Sequence, residues 1–211
     1  MNMKKIKILI AAAFLLFAFS FTATAQKEIL KLNLNYNYSI PLSGFKSDLI
    51  SNASARGFNG ELMYQFNNKL SGGLLFGYQD YYQKYPRAIY SLSKTQDISA
   101  VLSNSIQSTP VLLKAKYSLL HKTGSFINPY VSLGAGINMI DFKQYFGEFA
   151  SSETNVGFLA QGGLGVMIPF GKLNSSGINL GADYDYSPYK KFGYSDLNTV
   201  NFHAGVFFTV R

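Results

Sequence analysis

Two short stretches carry residues that could act on a bond. In GADYDYS, Asp183 and Asp185 are two positions apart, and NFHAG carries His203. On a strand, residues two apart share a face and sit ~7 Å from one another. If the last two strands are neighbours, His203 lies at a similar depth and an Asp–His pair can form. A carboxylate that orients a histidine is half of a hydrolytic triad. The nucleophile is missing, because no Ser or Thr stands out and the residue two beyond His203 is Gly205. His121, the other histidine, falls in a polar turn. LGAGINM and GGLGVM are glycine-rich, but neither opens a helix as a dinucleotide site requires. The expectation is no enzyme and no cofactor. With zero Cys, disulfides and thiolate zinc sites are excluded as well.

What must position these residues is a set of strands. In KLNLNYNYS, Leu32, Leu34, Tyr36 and Tyr38 alternate with Lys31, Asn33, Asn35 and Asn37. Period-two alternation belongs to a strand, whose side chains point to opposite faces. Seven further segments repeat it, near residues 58–66, 70–79, 111–119, 131–139, 156–168, 178–186 and 200–210. Short polar connections join the second and third strands (FNNKL), the fourth and fifth (LHKTGS), and the sixth and seventh (GKLNSSG). The others are longer, about Pro41 to Arg56, Asp80 to Thr109, Phe142 to Asn155 and Ser187 to Leu197. Short turns on one rim and long loops on the other are a property of membrane barrels.

The start of the chain agrees. Lys4, Lys5 and Lys7 precede an apolar run from Ile8 to Phe21, and Ala23 and Ala25 stand before Gln26. Charge, a short apolar core and small residues make a secretory signal peptide, expected over 1–25, with one domain over 26–211. The run is shorter than the ~20 residues that span a bilayer as a helix. No Cys follows it, so no lipid anchor is expected. The net charge of +8 falls to about +5 without the three leader lysines, an ordinary excess. No basic run suits nucleic acid. With no later stretch long enough for a spanning helix, only a closed sheet satisfies every backbone group in lipid.

The fold expected is all-β, an eight-stranded antiparallel up-and-down transmembrane β-barrel. Its bulky apolar face meets lipid, with Tyr and Phe near strand ends as an aromatic girdle. The opposite face carries Gly, Asn, Ser, Lys, Asp and Gln, and an eight-stranded interior is just wide enough for side chains to fill. Lumen-facing charges are Lys31, Lys114, Lys116 and Arg211 against Glu61, Asp183 and Asp185, with His203 on the same parity. Buried charges need partners, so this set reads as an ion-pair and hydrogen-bond network that fills the barrel. A narrow polar pathway or gate is the alternative. The second long connection, YQDYYQKYPRAIYS, reads as a hairpin above the membrane or, more sharply, as an extracellular contact surface.

Across the whole expected mature region the pattern resembles the small eight-stranded outer-membrane barrels of Gram-negative bacteria, the OmpA/OmpX-like family. In HAGVFFTV, His203, Gly205, Phe208 and Val210 match the family's assembly signal, and Arg211 stands where many members end in an aromatic. The resemblance implies a monomer in outer-membrane lipid, delivered by the barrel assembly machinery, with a structural or surface-interaction role and a possible extracellular ligand at the loops. A porin-like channel for small solutes is the alternative it leaves open, and a lipid-modifying enzyme the lesser one. Lipid A deacylases place His and Ser two apart, where this chain has His203 and Gly205. The chain ends at its last strand, so no periplasmic peptidoglycan-binding domain is expected.

Overall fold

The computed structural model describes residues 29–93, 96–120, 126–147, 149–170, 175–188 and 196–210. The expected leader with its Gln26 boundary, His121, much of the LHKTGS and GKLNSSG turns, and Arg211 lie outside the described residues. Eight strands follow in order: β1 Ile29–Pro41, β2 Ser54–Gln65, β3 Leu70–Ser93, β4 Gln96–Ser118, β5 Asn128–Phe146, β6 Phe149–Pro169, β7 Ser176–Tyr186 and β8 Thr199–Val210. Each pairs antiparallel with the next, and β1 pairs with β8 from Leu30↔Val210 to Pro41↔Thr199, so the sheet closes on itself. Closure leaves no unpaired edge along the ring.

The alternation sorts inside from outside as the pattern requires. On β1, Leu34 and Tyr36 are exposed at 48% and 56%, while Asn33 and Asn35 are buried. The same holds round the ring, with Phe76, Leu113, Leu133, Leu164 and Phe208 outward, and Gln79, Lys114, Ser132, Gln161 and Phe207 inward. A one-residue slip of any strand would exchange the two sets, so register is strongly specified. The turn after β2 is fastened by Asn67, whose Oδ1 accepts from the Lys69 and Leu70 amides at 2.8 Å each.

Two of the long connections are largely strand: the second forms the hairpin expected above the membrane, and the one from Phe142 to Asn155, expected as a loop, is paired strand as well. β3 and β4 stay paired to Ser93↔Gln96, and β5 and β6 to Phe146↔Phe149. Their neighbours stop sooner: β2 leaves β3 at Gly57↔Gln79, and β7 leaves β6 at Ala160↔Tyr186. Four strands therefore rise beyond the ring as a curved sheet. Within it the apolar side changes face. Outward positions become polar (Gln107, Ser105, Asp141, Thr154), while Tyr81, Ile106 and Ile140 are buried within.

The β1–β2 connection supplies what these inner residues pack against. After Ser43, at φ 49°, the chain makes a short π-helical turn, Phe45–Leu49, and turns inward. Phe45, Leu49 and Ile50 are buried against Tyr81, Ile106, Ile140 and Leu197, forming an apolar plug over the lumen. Phe45 meets the Tyr81 ring edge-on at 4.9 Å. Burying each large side chain contributes about 1.5–3 kcal/mol, which favours the inward position of the loop. Asn104 Nδ2 and the Tyr85 hydroxyl donate to the Leu49 carbonyl at 3.1 and 2.9 Å.

The seam between β1 and β8 depends on a close approach. A Cβ at Gly205 would overlap the Leu34 carbonyl oxygen, so only glycine lets the strands pair there. Gly205→Val is expected to abolish the heat-modifiable gel shift of the barrel in detergent. Gly60→Ala, whose Cβ would meet Leu34 at an ordinary 3.7 Å, is expected to keep it.

Candidate functional site

The lumen polar network is the candidate site, and its centre is Glu61 on β2. Two neighbouring lysines reach it from β4, Lys114 Nζ at 3.0 Å and Lys116 Nζ on the other carboxylate oxygen. Asn33 Nδ2 donates to that second oxygen at 2.8 Å. Lys114 also pairs with Asp183 of β7 at 3.3 Å, and the other oxygen of Asp183 lies 2.9 Å from His203 Nδ1 on β8. All five side chains are at most 3% exposed. Two cations face two carboxylates, which is the balance a water-excluded interior demands.

From His203 the network runs on as a chain of neutral groups. His203 Nε2 is 3.1 Å from the Tyr130 hydroxyl, which donates to Asn179 Oδ1 at 2.9 Å. Asn179 donates to Asn35, Asn35 to Asn59 and Asn59 to Asn37, at 3.0, 2.7 and 2.9 Å. The Tyr130 ring also lies under Lys116, 4.7 Å from its ammonium. Glycines make the room: a Cβ at Gly163 would strike Asp183 and Ser132, one at Gly165 would strike Tyr130, and one at Gly181 would strike His203.

Of the eight network residues read from the sequence, the structure brings five together: Glu61, Lys114, Lys116, Asp183 and His203. Lys31 stands apart. It is near the β1–β8 end by the short turns, 5.9 Å from the Phe207 ring, with no ion pair among the described residues. It pairs with Met63 of β2 and Thr209 of β8, one inward position below Asn33 and Glu61. Asp185 is held by neutral groups, Gln161 Nε2 and Asn201 Nδ2, each at 2.8 Å. It sits one inward position above Asp183, with no lysine in ion-pair contact among the described residues. Arg211 lies outside the described residues. The assembly-signal positions divide by parity, His203 and Gly205 facing the lumen, Phe208 and Val210 outward.

Tyr130 was missed by sequence reasoning. Its signal is faint but real: an aromatic on the small, polar parity of a strand, just before Val131. The Asp183–His203 pair does form, and the far nitrogen of His203 meets Tyr130 rather than a serine or threonine hydroxyl.

A family model described as the outer membrane protein beta-barrel domain matches residues 9–209. The chain belongs to this family. Solved structures of similar fold include the outer membrane protein OprG of Pseudomonas aeruginosa, at 14% identity and TM-score 0.54, covering 88% of this chain and 97% of that one. Ail, the attachment invasion locus protein of Yersinia pestis, is 15% identical with TM-score 0.47, covering 87% and 97%. Neisserial surface protein A is 16% identical with TM-score 0.46, covering 86% and 96%. No curated protein matches. The chain is thus an outer-membrane β-barrel, and its outward leucines, valines and aromatics form the lipid-facing belt.

In such a barrel, removing one partner of a buried ion pair strands the others away from water. Glu61→Gln leaves Lys114 and Lys116 side by side and is expected to lower stability by about 3–5 kcal/mol. Adding Lys116→Met, which restores the balance with the Lys114–Asp183 pair, is expected to recover most of it. Urea unfolding read by gel mobility distinguishes the two.

Proposed function

We propose that this outer-membrane protein is a closed, non-catalytic barrel, its lumen filled by side chains, that serves as a platform for surface contacts. The observation that carries the reading is the burial of Glu61, Lys114, Lys116 and Asp183, at most 3% exposed, in the middle of the lumen. A water-filled pore would leave such charges hydrated, whereas here each is spent on a neighbour. The plug of Phe45, Leu49 and Ile50 supports the same conclusion from the opposite end. With both faces of the Asp183–His203 pair occupied by Lys114 and Tyr130, the pair orders the interior rather than attacking a substrate.

The sheet beyond the lipid belt is the contact surface in this reading. Its exposed groups include Tyr82, Tyr145 and Ile89, with Arg56 stacked 5.9 Å over Tyr82. Aromatic and arginine side chains of this kind favour recognition. The rest of the proposal follows from the family. A leader cleaved before Gln26 directs export, His203, Gly205, Phe208 and Val210 present the chain to the assembly machinery of a Gram-negative outer membrane, and the barrel works there as a monomer.

In planar bilayers the refolded barrel is expected to be silent. Reproducible discrete steps, altered by substituting Lys114 or Glu61, would overturn the closed reading in favour of a small-solute channel. Removing residues 87–101, above the plug, is expected to preserve the heat-modifiable shift while reducing adhesion to cells or matrix. Unchanged adhesion would overturn the platform role.

A further inference from the structure

Between the ion-pair layer and the apolar plug the lumen keeps a cavity of about 40 Å³. Asp183 stands at its floor and Phe45 and Leu197 at its roof, and Asp185 lines it between them. Asp185 has no ion pair. Lys114 and Lys116 are paired with Glu61 and Asp183, while Asp185 is met by two amide N–H donors, with no cation within ion-pair distance among the described residues. A carboxylate inside a membrane barrel needs a counter-charge. A second group points the same way: Gln161 is 7% exposed, its Nε2 is used on Asp185, and its Oε1 has no partner among the described residues. An orphan acceptor beside an anion without an ion pair wants something positive.

We propose that this cavity binds a monovalent alkali cation, held by the carboxylate of Asp185 and the Oε1 of Gln161. Thr199 and Asn201, which line the same cavity, add hydroxyl and amide oxygens. Oxygen donors without sulfur or imidazole select hard cations. One unpaired carboxylate is answered by one positive charge, while a divalent ion would leave an excess of its own and takes about 6–8 oxygens. A cavity of this size has room for one ion with roughly one or two waters. The bound ion would tie β6, β7 and β8 together above the Glu61 layer, where no salt bridge among the described residues joins these three strands.

The inference rests on the closed lumen proposed above, and conductance tests that reading separately. The test is to unfold the purified barrel in urea and refold it in sodium, potassium or tetramethylammonium chloride at equal ionic strength, then measure the thermal midpoint. The expected result is a higher midpoint in sodium or potassium than in tetramethylammonium, a cation too large for the cavity. Asp185→Asn is expected to erase the difference. Equal midpoints in all three salts overturn the site, as does a midpoint that rises on acidification alone, which would make a proton the counter-charge. Should Asp185→Asn fail to fold, crystals grown with rubidium give the answer on the unaltered protein. An anomalous peak beside Asp185 supports the site, and its absence overturns it.

Discussion

The Glu61 carboxylate, clasped between Lys114 and Lys116 with almost no exposed surface, is the interaction on which the interior depends. A membrane barrel has lipid outside and too little room inside for bulk water, so each inward charge must be answered by a side chain from another strand. Glu61 on β2 draws on β4, Lys114 passes the contact to Asp183 on β7, and Asp183 passes it to His203 on β8. Tyr130 and the asparagines carry it on to β5 and β1. Six strands are joined by one set of contacts. Buried ion pairs often add little net stability over apolar packing, but here a slipped register would turn a charge toward lipid. Specificity of pairing is what such a network supplies.

The second constraint is the change of surroundings along the barrel axis. In the belt, lipid stands outside and the polar network inside, so apolar residues face outward. Beyond it, water stands outside, and β3 to β6 keep their pairing but turn their apolar side inward. Leu113 is outward at 71% exposed, while Ile106, on the opposite parity of the same strand, is buried at 2%. The turned-in β1–β2 connection gives these inward side chains something to bury against. Plug and ionic layer both fill the lumen with side chains, by opposite chemistries.

The legibility of this chain follows from those two constraints. Where one face met lipid throughout, as on β1 and β8, alternation alone revealed strand, parity and inside from outside. The nearness of Asp183 and His203 was equally readable, because it needs only adjacent strands and matching parity. Above the belt only the β3–β4 hairpin was readable, without its bounds, and the upper halves of β5 and β6 were not, because the apolar set changes face there and breaks the period that marks a strand. Polar outward runs such as Gln107 to Ser103 then look like loop. The inward turn of Phe45–Leu49 has no periodicity to detect at all. Depth was the other hidden variable: parity put Lys31, Asp185 and Glu61 on one face, but the cross-strand register decides which charges meet.

The closed ionic layer is tested most directly by the chemical reactivity of its lysines. The folded barrel in detergent would be exposed to a small reductive methylation reagent and each lysine followed by mass spectrometry. Lys114 and Lys116 are expected to stay unmodified until the barrel is unfolded, while the exposed Lys46, Lys69 and Lys84 react at once. Methylation of Lys114 and Lys116 in the folded state, at the rate of those exposed lysines, would contradict the account.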